Sequence, residues 1–252
     1  MSWFTTGAGK AAPFFRTALE ELLESEGRSE LQAPTFIETG IAQIKAKGMN
    51  IDKLFEPAEE SQGYRDLKEK MSEYTSGRIP DLTKPKYHAQ DIAQLIKEWL
   101  RLLPEPLIPR SCAGSFAKVQ NVRQLSSWDS LDEHRDVIKQ LSTAAKQLPH
   151  ANRTSLTTIC VMLHEYKCQG QTDEVQQERM SSMTNNFQSL FFCRNGDAFL
   201  LENGMAEAVS SLIEYAPFVL QGKDYIPDRE SPEPHPVEQV SFFTIKLPVV
   251  SF

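Results

Sequence analysis

The stretch from His88 to Leu103 constrains the fold most. Ile92, Leu95, Ile96, Trp99, Leu100 and Leu103 fall within an arc of roughly 140° at 100° per residue, so one face of a helix is apolar and must be buried. Pro104 and Pro106 end it, because proline lacks the amide proton and clashes with the preceding turn. The same period recurs along the chain. Phe15, Ala18, Leu19, Leu22 and Leu23 form one stripe with Gly27 as a stop. Phe36, Ile37, Ile41 and Ile44 form another between Pro34 and Gly48. Further stripes are Tyr64, Leu67 and Met71, with Ser61 as N-cap; Val137, Ile138, Leu141, Ala144, Ala145 and Leu148; Leu156, Ile159, Cys160 and Leu163, with Asn152 as N-cap; Met180, Met183, Phe187, Leu190 and Phe191; and Ala208, Val209, Leu212 and Ile213. Gly170 to Glu178 reads as a polar loop, and 49–60 as a loop with Ile51 and Phe55 as buried anchors. Strand candidates are few. The expected architecture is an all-α orthogonal bundle of seven to nine helices over 12–220, with a leader at 1–11 and a Pro-containing tail at 221–252.

The chemistry on offer is sparse. Lys+Arg is 27 against 34 Asp+Glu, a net charge of −7, which argues against a nucleic-acid binder. No apolar run reaches the ~18–20 residues of a membrane span. Phe14-Phe15 runs at once into Arg16, unlike a signal peptide. The expectation is a cytoplasmic chain. Cys112, Cys160, Cys168 and Cys193 lack metal spacing and read as reduced thiols; no metal and no cofactor is assigned. Gly7-Ala-Gly9-Lys10 fails as a phosphate loop, since Ala11 follows the lysine and no strand precedes it. Glu20-Glu21 and Glu59-Glu60 read as solvated faces.

One stretch goes further. Lys97-Glu-Trp-Leu-Arg101-Leu-Leu-Pro-Glu-Pro-Leu107 closely resembles the RhoGAP family, in which a helix carrying Lys and Arg four apart runs into LPEPL. Ala33 to Met49 resembles that family's first core helix, and Leu148-Pro-His-Ala-Asn152 its LPxxN segment. The resemblance implies a helical domain that docks on Rho-family small GTPases in the GTP-bound form and inserts an arginine to neutralise charge on the breaking phosphate bond. It implies a GTPase regulator, not an enzyme with its own substrate.

The family's arginine loop reads roughly EGIFRxSG. The matching residues here are Asp52-Lys53-Leu54-Phe55-Glu56-Pro57-Ala58-Glu59. Phe55 keeps the aromatic anchor, Lys53 and Glu59 stand in place of glycines, and Glu56 occupies the arginine position. A carboxylate there faces developing negative charge and repels it. Lys97 and Arg101 correspond to the family's GTPase-facing cations; from helical spacing alone they are two outward-pointing solvated side chains. The family's asparagine falls on Phe187 or Thr184, depending on whether Met183 or Met180 sets the register, and Asn186 is the neighbouring candidate. The expected function is GTPase binding with lost or reduced activation. The alternatives are an activator using another arginine, such as Arg65 or Arg78, and a helical scaffold for some other protein.

Overall fold

The computed structural model describes residues 14–57, 59–74, 79–121, 131–192 and 204–221. The leader, Arg78, Cys193 and almost all of the 221–252 tail lie outside them. The described residues form ten helical segments and no strand: α1 Leu19–Ser25, α2 Thr35–Lys47, α3 Gln62–Ser72, α4 Ala89–Leu102, α5 Arg110–Ala117, α6 Leu131–Ala145, α7 His150–Cys168, α8 Asp173–Phe192, α9 Met205–Glu214 and α10 Ala216–Val219. The all-α class follows, and most of the stripes read from the sequence are the faces that meet; the first differs, because α1 starts only at Leu19, leaving Ala18 exposed before it and burying the ring of Phe14 rather than Phe15. Ile92, Leu95, Ile96, Trp99 and Leu100 of α4 are all buried. The helix stands between α2, α3 and α8. Burying side chains of this size contributes about 1.5–3 kcal/mol each relative to exposure.

Helix ends are fixed by side chains that often come from elsewhere. Ser61 accepts from the Tyr64 amide (2.9 Å), as its capping position predicts. Asp91 accepts from the His88 amide (2.9 Å) and from the Ser61 hydroxyl, so the starts of α3 and α4 are tied together. Pro34 has no side chain to cap α2. The fully buried carboxylate of Glu26 does so instead, accepting from the Thr35 amide and hydroxyl, both at 2.8 Å.

Two expectations are corrected. Residues 170–178 are not a loop throughout: α8 begins at Asp173, two turns before its apolar stripe starts, with Asp173 and Glu174 in the first turn where they favour the helix dipole. Asn152 is not an N-cap but sits inside α7, where Pro149 is the cap residue. Its buried amide donates to the Pro106 carbonyl (3.4 Å) and the Leu107 carbonyl (3.1 Å). The LPEPL turn and the LPxxN segment are therefore one structural unit. Asn152→Ala leaves two buried carbonyls without a donor and is expected to destabilise the fold by about 1–3 kcal/mol, read from urea unfolding; a change below ~0.5 kcal/mol would contradict this pairing.

Candidate functional site

The site is built around the loop at 49–57. Helix α2 delivers it. A Cβ on Gly48 would stand 2.6 Å from that of Ala89, so only glycine allows α2 to end this close to the start of α4. Beyond the glycine, the loop is held from below. The ring of Phe55 is 2% exposed and packs edge-on against Tyr166 (5.3 Å between centroids) and Phe187 (5.4 Å). The Tyr166 hydroxyl donates to the Ile51 carbonyl (2.8 Å) and accepts from the Leu54 amide (3.3 Å). Arg179 of α8 lies under the loop with its guanidinium 4.3 Å from the centre of the Tyr166 ring. It donates to the carbonyls of Tyr166 (2.7 Å) and Met49 (3.2 Å) and to Asp52 (3.3 Å). Leu54 shares the anchoring with Phe55, whereas Ile51 is only partly buried.

Lys53 has a φ of 61°, the left-handed region. That conformation favours glycine and costs a β-carbon about 1–2 kcal/mol. The backbone thus keeps a glycine-type turn at the position matched to a glycine. Lys53→Gly is expected to raise unfolding stability by about 0.5–1 kcal/mol, the relieved strain being partly offset by the greater freedom of glycine when unfolded; a loss of stability in urea melts would contradict the turn assignment.

Above the loop, Lys97 does not point into solvent as helical spacing predicts. Its ammonium turns inward and donates to the Phe55 carbonyl (2.6 Å) and to Oδ1 of Asn186 (2.7 Å). The physical reason is that the loop supplies acceptors within reach of a half-buried stem. Asn186 Nδ2 donates to the Ser182 carbonyl (2.8 Å), which turns the amide oxygen towards Lys97. Phe187 is in the core and the Thr184 hydroxyl is buried without a partner, so Asn186 alone of the three candidates reaches the loop tip. Burial, then the nearby Arg101 charge, lower the Lys97 pKa to about 8, with Glu56 opposing the shift.

Arg101, by contrast, does face solvent, its side chain 51% exposed. It pairs with Glu98 (2.9 Å), whose other oxygen meets Lys68 at 3.3 Å. Glu56 stands at the tip, 39% exposed and only loosely paired with Lys53 at 3.8 Å. The structure therefore brings Glu56, Lys97 and Asn186 together and leaves Arg101 one helical turn further along α4. Among the described residues no group of three His, Cys, Asp or Glu is placed to hold a metal ion. Arg179 is 8% exposed and spent on the loop backbone, so it is not available to reach a partner. Arg65 sits on the surface of α3, bonded to Gln62 (3.2 Å).

Tyr166 and Arg179 escape sequence reading. Arg179 had one signal: it lies four residues before Met183 and so on the buried stripe of α8, where a cation needs acceptors.

This geometry can be set beside known proteins. The RhoGAP domain model matches residues 34–187, from the start of α2 through the Lys97–Asn186 contact. The chain belongs to the RhoGAP domain family. Rho GTPase-activating protein 19 of mouse is 27% identical over 168 residues, 63% of this chain and 33% of its own length. Rho GTPase-activating protein 40 of mouse is 23% identical over 216 residues, 82% of this chain and 30% of its own. This RhoGAP chain thus spans about a third of the length of these relatives. Among solved structures, human Rho GTPase activating protein 15 superposes with a TM-score of 0.61 at 16% identity, covering 86% of this chain and 92% of that one. The BH domain from Graf, the GTPase regulator associated with focal adhesion kinase, gives 0.57 at 14%, covering 74% and 93%. These likenesses support the all-helical fold.

Proposed function

We propose that this RhoGAP domain docks on Rho-family small GTPases in their GTP-bound form and does not accelerate hydrolysis as an arginine-bearing relative would. The observation that carries this reading is the intact loop with an altered tip. Phe55 is anchored, the turn at Lys53 is kept, and Lys97 and Asn186 close over the backbone. The side chain presented at the end of this scaffold is a carboxylate. An arginine there is worth ~10³–10⁵ in rate, because its donors meet charge that develops only as the phosphate bond breaks. Glu56 has no such donor and the opposite sign.

Docking falls on the α4 edge: Arg101 offers its exposed charge to the partner, with Glu98 holding the guanidinium in place, while Lys97 and Asn186 act through the loop tip that they hold. The role is that of a cytoplasmic binder, sequestering or localising active GTPases in signalling.

The test is equilibrium binding, by calorimetry, to a panel of Rho-family GTPases loaded with a nonhydrolysable GTP analogue. Saturable one-to-one binding to at least one member is expected. No binding across the panel would favour the helical-scaffold alternative.

A further inference from the structure

We infer that Arg179 is a positioning residue for docking: it braces the 49–57 loop from beneath and keeps the tip in the conformation a GTPase meets, without touching the partner itself. The inference rests on the docking reading above and extends the site from the α4 edge to α8. Arg179 is 8% exposed and stands on the buried stripe of α8. A charge without water must find acceptors in the fold. The Tyr166 carbonyl supplies one, 2.7 Å away in the last turn of α7, where carbonyls lack an amide of their own helix. The loop supplies the others, the Met49 carbonyl at 3.2 Å and Asp52 at 3.3 Å. The guanidinium also lies against the Tyr166 ring, and the hydroxyl of that ring holds Ile51 and Leu54. Arginine and tyrosine therefore grip the loop as one unit, at Met49, Ile51, Asp52 and Leu54.

Stability of the bundle does not account for this arrangement. The Arg179 Nε–H is buried without an acceptor, and Asp52, its one carboxylate partner among the described residues, is 83% exposed. A buried cation met so incompletely offsets little of its own desolvation. Its effect is local. Lys53, in the left-handed region, works against the closed loop, and such a conformation persists only where its surroundings hold it. After this turn the loop is anchored by Phe55; before it, the polar side chains that hold the backbone are Tyr166 and Arg179. A tip ordered in advance spares an incoming partner that ordering. Where the loop opens part of the time, affinity falls by the fraction that stays closed.

The experiment compares the unaltered chain with Arg179→Met, which keeps the apolar stem and removes every donor, and Arg179→Lys, which keeps a point charge without the planar fork. Hydrogen exchange at the Leu54 amide, whose acceptor is the Tyr166 hydroxyl, reports loop closure, and the amides of Leu95 and Ile96 report the core. In Arg179→Met, exchange at Leu54 about tenfold faster is expected, with the core amides changing far less. Affinity for a Rho-family GTPase loaded with a nonhydrolysable GTP analogue should fall about fivefold, through slower association. Arg179→Lys should lie between the other two chains in both readouts, and it carries the comparison if circular dichroism shows that Arg179→Met does not fold. Equal acceleration at Leu54 and in the core would reveal a merely structural arginine and overturn the inference. So would a loosened loop with unchanged affinity, which leaves docking standing. No binding by the unaltered chain removes docking and this inference together.

Discussion

Glu56→Arg is expected to turn this chain into a GTPase activator, with at least a hundredfold rise in single-turnover GTP hydrolysis at saturating domain. A native arginine finger contributes ~10³–10⁵; recovering two of those decades corresponds to about 2.7 kcal/mol of transition-state stabilisation. The scaffold for it is in place. The Phe55 ring is locked between Tyr166 and Phe187, and the Phe55 carbonyl is held by Lys97, so the residue that follows leaves the core in a fixed direction. Recovery is expected to fall short of the full effect because Pro57 fixes φ immediately after the tip and Lys53 strains the turn before it. Glu56→Gln removes the repelling charge without adding a donor and should stay near the unaltered chain in hydrolysis. A Glu56→Arg chain that binds tightly and gives no acceleration would show that the tip does not reach the nucleotide.

Lys97→Met combined with Arg101→Glu is expected to weaken GTPase binding by about a hundredfold, close to 2.7 kcal/mol. The two substitutions act differently. Methionine at 97 keeps the apolar stem but removes both donated hydrogen bonds, so the Phe55 carbonyl and the Asn186 amide lose the contact that joins them. Glutamate at 101 reverses an exposed charge and places it beside Glu98, now without its partner cation on α4. Folding stability should drop by no more than about 1–2 kcal/mol, because Phe55 itself stays buried. Calorimetric titration of a GTPase with the double variant checks this. Unchanged affinity would remove the α4 edge from the interface.

Much of this molecule is legible in its sequence, for a physical reason. Helices that bury one stripe carry the 3.6-residue period openly, so α2, α4, α6 and α9 emerge close to their observed bounds. The Phe55 anchor is equally plain. Polar side chains whose partners are remote in sequence are not. Asn152 looks like a cap because asparagine near a proline so often is one, yet its acceptors are Pro106 and Leu107. Lys97 looks solvated because helical spacing measures direction from the axis and takes no account of a loop folded over it. Arg179 directly follows a polar stretch that reads as a connection, although its acceptors are the Met49 carbonyl of the loop it supports and the Tyr166 carbonyl. In each case the decisive contact spans more than ten residues of chain, and local pattern holds no record of it.

The central claim, a kept docking surface with an inverted tip, meets its most direct test in single-turnover GTP hydrolysis by a panel of Rho-family GTPases, each assayed with and without the unaltered chain at concentrations where binding is saturated. Rates within a few-fold of the intrinsic value are expected for every GTPase that binds. Stimulation of a hundredfold or more by the unaltered chain would contradict it.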